Sequence, residues 1–304
     1  MEEQVIVIDE LPSAAKALFE DSTFFKKYSG GLPSPAQVRQ KGIKINGSRA
    51  RGSRPDPVSY EDQGLIVKYG SEITIAEAQC LWFFNRYMKN VPTPELFGWH
   101  QDAGETFIYM ELVCGETLEV VWPSMTEEER RVICKELRDS VTTWRQLRQE
   151  KVPHFIGHIG YRGVGDIIFS DAGDANIGPF QNIKAFHDFF ARYSCRRHPE
   201  WNPRRDFPEL EGLTDDRPVV FTHGDLDKSN IIVAQQDGES QRHVVAIIDW
   251  HQSGWYPADR EWLKAEWRCD PLEGGYRDTA WLLQIMEPAD QRYAMAWEYI
   301  TSCL

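Results

Sequence analysis

Three polar residues late in the chain have the spacing of a reactive site: Asp225, Asn230 five positions on, and Asp249 nineteen beyond that. They lie in Phe221-Thr222-His223-Gly224-Asp225-Leu226-Asp227-Lys228-Ser229-Asn230 and, further along, in Val245-Ala246-Ile247-Ile248-Asp249-Trp250. An acid that can orient and deprotonate a hydroxyl, with an amide and a second acid that can share a hard cation such as Mg²⁺, is the set of groups that phosphoryl transfer to a hydroxyl needs. The structural alternative is that Asp225 and Asn230 cap turns and His223 is a buried, hydrogen-bonded core histidine. For His223 alone the structural alternative is the better one, so it is expected to brace the loop rather than to move a proton.

An element must bring Asn230 and Asp249 together. The segment after Asn230 is apolar and β-branched, Asp237-Gly238 is a turn signal, and Val244 to Ile248 is β-branched again, which predicts an antiparallel hairpin. In that hairpin Asn230 and Asp249 should sit side by side, with Asp225 in the loop leading in. Upstream, Leu65-Ile66-Val67-Lys68-Tyr69 alternates like a strand and embeds a lysine that needs an anionic partner if it is buried. Thr74 to Met88 reads as a helix with Glu77 in its first turn. Thr74-x-x-Glu77 is also a capping box, in which Glu77 would only satisfy backbone donors. Lys68 nine residues before it favours an ion pair that positions a phosphate-binding lysine.

The remaining chain divides by its breakers. Residues 1 to 40 predict a short helical or irregular lead-in ending in Ser29-Gly30-Gly31-Leu32-Pro33-Ser34-Pro35, and Val38 to Ile45 reads as a strand. Residues 46 to 55, rich in glycine, serine and arginine, form a loop that either covers phosphates or is a solvated surface loop; they contain neither G-x-G-x-x-G nor a Walker pattern. After Asn90-Val91-Pro92-Thr93-Pro94, Thr106 to Val113 predicts a strand leading into Cys114-Gly115-Glu116-Thr117, where two lobes should join, giving domains of 1–113 and 114–304. Backbone groups of Glu111 and Val113 could pair with a purine edge there, the alternative being a plain strand-to-helix connection. Thr126-x-x-Glu129 opens a capped helix, Gln181 to Tyr193 is amphipathic, and Arg196 to Arg217 reads as an exposed loop. Of the late aromatics Trp255, Trp262, Trp267, Tyr276 and Trp281, most are expected to pack.

Bulk properties narrow the partners. The 304 residues are 41 % hydrophobic and 27 % charged, the balance of an ordinary globular protein, with a formal net charge of −13. Such a surplus of acid argues against nucleic acid or an anionic membrane as a partner. No apolar run approaches bilayer length and the first residues are acidic rather than signal-like, so a cytoplasmic protein is the expectation. The six cysteines lack C-x-x-C or zinc spacing and read as reduced thiols. Asp259, Glu261 and Glu266 could attract an amine-bearing acceptor, although acidic residues are also what the surface of any such chain shows.

His223-Gly224-Asp225-Leu226-x-x-x-Asn230 with Asp249 closing a later strand resembles the aminoglycoside phosphotransferase and choline kinase superfamily of small-molecule kinases. The resemblance runs from about Leu65 to Trp267 and is tight in Phe221 to Val233 and Ile247 to Pro257. It implies an α+β, bilobal protein-kinase-like fold: a small, mostly antiparallel N-lobe and a larger helical C-lobe with a catalytic β-hairpin. It further implies ATP and Mg²⁺ as cofactors, Asp225 as catalytic base, Asn230 and Asp249 as metal ligands, Lys68 on the nucleotide phosphates held by Glu77, and Glu111 and Val113 contacting adenine beside Met110. The implied acceptor is a hydroxyl of a small molecule. Gly224 stands where protein kinases have an arginine, Trp250-His251 replaces Phe-Gly, and no A-P-E segment follows, so their phosphorylation switch looks absent. Asp227 and Lys228 also depart from the residues common in the resembled family. A catalytically silent nucleotide-binding or scaffolding protein of this fold, or nucleotidyl transfer from ATP, are the alternatives.

Overall fold

The computed structural model describes residues 4–150, 154–172, 177–235, 241–269 and 278–304. The chain groups into two compact units, and the grouping is not a single cut after 113: one unit holds Asp9–Val121 with Ile231–His251, the other Met1–Ile8, Trp122–Asn230 and Gln252–Leu304. The first is built on an antiparallel sheet and the second is mostly helical, the α+β division expected from the sequence.

In the sheet unit the elements run β1 (Lys16–Leu18), α1 (Pro35–Asn46), β2 (Val58–Tyr60), β3 (Leu65–Gly70), α2 (Ile75–Tyr87), β4 (Leu96–Asp102), β5 (Glu105–Glu111) and β6 (Glu116–Thr117). Five strands form one antiparallel sheet in the order β1-β4-β5-β3-β2. Strand alternation decides what each face carries. Leu65, Val67 and Tyr69 of β3 join Val38, Val58, Phe97, Phe107 and Tyr109 in one buried cluster, which leaves Lys68 on the opposite face. Helix α1 packs on the clustered face through Val38, and Gly42 is needed there because a Cβ would collide with the Tyr69 hydroxyl. Helix α2 packs on β4 and β5.

Helix α1 corrects the strand expected over Val38 to Ile45. Ser34 Oγ accepts from the Gln37 amide and Gln37 Oε1 accepts from the Ser34 amide, a capping box with Pro35 in the first turn. The Ile43/Ile45 alternation that mimics a strand is solvent-exposed, whereas Val38 and Gly42, four apart, face the sheet.

The same unit contains the expected hairpin, β7 (Ile231–Gln235) against β8 (Arg242–Ile247), with Ile231 opposite Ile247. Its Asp237-Gly238 turn lies outside the described residues. Strand β6 pairs with β7, and Gly115 has φ +153 where a Cβ would meet Ile232 and the Val233 carbonyl at 2.7 Å.

The helical unit carries α3 (Glu127–Arg145), α4 (Ile183–Ser194), α5 (Arg260–Arg268) and α6 (Gln291–Ser302), with Val219–Thr222 paired antiparallel to Gly254–Pro257. Helix α3 starts with the Thr126/Glu129 capping box and α4 with Asn182 capping the Ala185 amide. Arg196 to Arg217 is not simply an exposed loop: it forms short turns at Pro203–Asp206 and Pro208–Gly212, and Leu210 and Leu213 are buried. Two leucines spaced three apart anchor it, a signal that its charge and prolines obscured. No described helix is long and apolar enough to cross a membrane.

His187 of α4 is fully buried between Asp215 and the Tyr293 hydroxyl, at 2.8 Å from each. With a neutral ring, Nδ1–H donates to Asp215 and Tyr293 donates to Nε2. Burial pushes its pKa down to about 4, outweighing the Asp215 carboxylate. Below pH 6.5 the unfolded chain takes up a proton that the folded one refuses, so stability should fall as pH drops from about 6.5 towards 4, by at most about 1.4 kcal/mol per pH unit. Chemical unfolding of the wild type and His187→Phe between pH 7 and 4 checks this: the variant should lose that part of the slope.

Candidate active site

Each unit holds its own set of polar groups, anchored within that unit. In the sheet unit, Lys68 Nζ donates to Glu77 Oε1 and to Asp249 Oδ1, both at 2.6 Å. Glu77 is 2 % exposed, so the strand and helix together bury an ion pair. Burial works against the Lys68 ammonium, but Glu77 and Asp249 outweigh it and raise its pKa. Thr74 makes no side-chain cap on α2, so Glu77 serves Lys68 rather than a capping box.

Asp249 lies two residues beyond β8 with φ +65, a left-handed conformation uncommon outside glycine. Its Oδ1 also meets His251 Nδ1 at 2.7 Å and Arg54 Nη2 at 3.6 Å. Burial opposes its ionisation, yet the His251 hydrogen bond and the Lys68 charge hold the carboxyl below the usual carboxylate range. Among the described residues every partner of Asp249 falls on Oδ1, which leaves Oδ2 for a cation. Arg54 comes from the 46–55 loop, and the Ser53 carbonyl accepts from the Glu72 amide just beyond β3.

In the helical unit the chain leaves strand Val219–Thr222 and turns at His223-Gly224. Glu261 of α5, fully buried, accepts the His223 amide at 2.7 Å on Oε2 and the Gly224 amide at 3.0 Å on Oε1. Gly224 has φ +79, and a Cβ there would lie 2.6 Å from the Gln252 carbonyl. His223 Nδ1 accepts the Asp225 amide at 3.2 Å, the bracing role expected of it. Asn230 Nδ2 donates to the Asp225 carbonyl at 2.8 Å and to Asp225 Oδ2 at 3.1 Å. The amide nitrogen is thereby spent on orienting Asp225, and the amide oxygen is left as the donor atom for a cation. Asp225 Oδ1 carries no hydrogen bond, a buried acceptor atom awaiting a partner.

A family model described as the phosphotransferase enzyme family matches residues 75–283. The chain belongs to this family. Among solved structures, an aminoglycoside-3'-phosphotransferase of type VIII is 15% identical, covering 88% of this chain and 98% of its own, with a TM-score of 0.49. The aminoglycoside phosphotransferase APH(3'')-Id from Streptomyces rimosus is 16% identical, with coverage of 88% and 99% and a TM-score of 0.46. APH(2")-IIa in its gentamicin complex is 14% identical, with coverage of 89% and 85% and a TM-score of 0.47. No curated protein matches in sequence.

In this phosphotransferase, three residues outside the motif contact its members: Glu261, His251 and Arg54. Glu261 is one of several acids near the end of the chain, and only its place in the fold sets it against the 223–224 amides. Asp259, Glu261 and Glu266, the acids that could attract an amine, each have a partner within the protein. Asp259 is paired with Arg217 at 2.6 and 2.7 Å, Glu261 holds the loop, and Glu266 accepts from the Trp262 indole at 3.1 Å. Trp255, Trp262 and Trp281 are buried, Trp267 is exposed and Tyr276 lies outside the described residues. Met110 is buried in β5 and Glu111 ends that strand.

Glu261→Gln replaces one of two acceptor oxygens by an amide donor facing a backbone N–H. Unfolding should become easier by about 1–3 kcal/mol, the cost of leaving a buried donor unmatched. Urea titration measures it; an unchanged midpoint would mean that the carboxylate does not brace the loop.

Proposed function

We propose that the chain transfers the γ-phosphoryl group of ATP to a hydroxyl of a small molecule. Lys68 carries the proposal, since a partly buried ammonium held by two carboxylates is a costly arrangement that a nucleotide phosphate explains. In this reading Lys68 binds the phosphates, Glu77 fixes Lys68, and Arg54 adds a second cation from the 46–55 loop. The Leu112 amide donates to the Gly64 carbonyl and the Glu111 amide to the Glu95 carbonyl. By strand alternation the Glu111 carbonyl and Val113 amide then face the edge where β4 has ended, as adenine recognition beside Met110 requires.

The donor chemistry fits Mg²⁺: an ionised carboxylate at Asp249 and an amide oxygen at Asn230 are hard oxygen ligands. Bound there, Mg²⁺ would offset charge on the β- and γ-phosphates. Asp225 holds the acceptor hydroxyl through its unpartnered Oδ1 and takes its proton as the acceptor oxygen bonds to γ-phosphorus. The bond from γ-phosphorus to the bridging oxygen breaks, and ADP and a phosphate monoester result. His223, Glu261 and Asn230 keep the Asp225 carboxylate aimed.

Asp225→Ala should lower kcat by roughly 10²-fold or more while the fold is kept, since general-base catalysis contributes about that much. ADP formation from MgATP with a panel of hydroxyl compounds measures it, and near wild-type turnover would refute the role. Mass spectrometry of the product must show a phosphoryl rather than an adenylyl addition. For Asp249→Asn, calorimetry should find Mg²⁺-dependent nucleotide binding lost; an unchanged affinity for MgATP counts against Asp249 as a ligand.

A further inference from the structure

The helical unit places three cations around the loop that carries Asp225, and they differ in what they already bind. Lys264 is buried and donates to Asp166 and to Gln252, each at 2.8 Å. Lys228 lies over the rings of Trp122 and Trp281, 5.2 and 5.4 Å from their centroids, with Asp278 at 4.0 Å. Arg268, the last residue of α5, is different. Its Nε is 3.9 Å from Asp225 Oδ1 and its Nη2 is 3.9 Å from Asp227 Oδ1, both beyond hydrogen-bond length, and the side chain is 42 % exposed. Asp227 Oδ1 is already engaged by the Ser229 amide at 3.0 Å and hydroxyl at 2.6 Å.

A guanidinium has five donors in a planar fork suited to carboxylate or phosphate oxygens. Among the described residues the fork of Arg268 makes no hydrogen bond, and it stands beside the one oxygen of Asp225 that is also unbonded. A hydroxyl accepted by that oxygen therefore presents its substituents to the fork. The acids that would have welcomed an amine, Asp259, Glu261 and Glu266, are all engaged within the protein.

We infer that the acceptor carries an anionic group, a carboxylate or a phosphate, within a few bonds of the reacting hydroxyl, and that Arg268 binds that group. This rests on the phosphotransferase reading, in which Asp225 receives the acceptor proton. Arg268 then determines specificity and leaves the nucleotide to other residues. A cation at a helix C-terminus beside two carboxylates is also what plain surface electrostatics would select. In that case acceptor affinity would not depend on it.

The test uses the full chain saturated with AMP-PNP and Mg²⁺, titrated calorimetrically with glycerate, glycerol 3-phosphate and kanamycin. At least one acidic probe should bind, and Arg268→Ala should weaken it by about tenfold or more, the scale of a lost charge-assisted fork, with AMP-PNP affinity unchanged. Which acidic probe binds tells carboxylate from phosphate. Kanamycin binding more tightly than both acids, neither acid binding, or an Arg268→Ala variant with unaltered acid affinity would each overturn the inference. A fall in AMP-PNP affinity in that variant would overturn it too, by moving Arg268 to the nucleotide. AMP-PNP failing to bind the wild type would remove the phosphotransferase reading, and the acceptor assignment with it.

Discussion

The sheet unit is organised around one partly buried ammonium. Lys68 stands on the face of β3 turned away from the apolar cluster, and its two partners come from α2 and from the end of the β7–β8 hairpin. Removing these ions from water costs several kcal/mol each, and their mutual attraction repays it only with close geometry, so such a cluster adds little to stability. What it does add is charge placement. One ammonium between two carboxylates leaves a negative excess, which Arg54 only partly meets from 3.6 Å. Under the proposed function, a metal cation bound with a polyphosphate would correct that imbalance, the cation at Asp249 and the phosphates at Lys68.

The helical unit solves a different problem, holding the Asp225 carboxylate still without a switch. Protein kinases brace the corresponding loop through an arginine that depends on a phosphate added elsewhere. Here Gly224 occupies that place, turned at φ +79 so that its amide and that of His223 both reach Glu261. A buried carboxylate that accepts two backbone amides is held in one orientation by those bonds. The loop is therefore held by groups of the chain itself, with no added phosphate among its partners in the described residues. His223 and Asn230 then work at short range, one taking the Asp225 amide and the other its carbonyl and carboxylate.

Which of these features could be read from the chain follows from their range. The hairpin, the Lys68–Glu77 pair and the bracing of Asp225 by His223 depend on residues near each other in sequence or on strand and helix periods, and all are legible. Helix α1 was misread because Ser34-Pro35 serves equally as a breaker and as an N-cap, and exposed Ile43 and Ile45 imitate strand alternation. The role of Glu261 was not legible, since nothing local distinguishes an acid that accepts two amides thirty-seven residues upstream from one that faces water. His251 is similar: its Nδ1 finds Asp249 only because the chain coils back through a short 3₁₀ turn there.

A net charge of −13 should repel both ATP and an acidic acceptor, yet long-range repulsion is not what decides binding at contact. At physiological ionic strength charges separated by more than about 8 Å are largely screened, so the field a bound phosphate feels is set by its immediate neighbours. In the sheet unit the cations Lys68 and Arg54 stand beside Asp249, with Glu77 on Lys68, and in the helical unit Arg268 stands near Asp225 and Asp227. Glu77 and Asp249 hold the Lys68 ammonium in place by hydrogen bonds, which lowers the ordering cost of any anion that binds it. An acidic surface slows the approach of anions, while a few preorganised cations govern what stays. The overall charge of this chain is therefore a poor guide to the charge of its substrates.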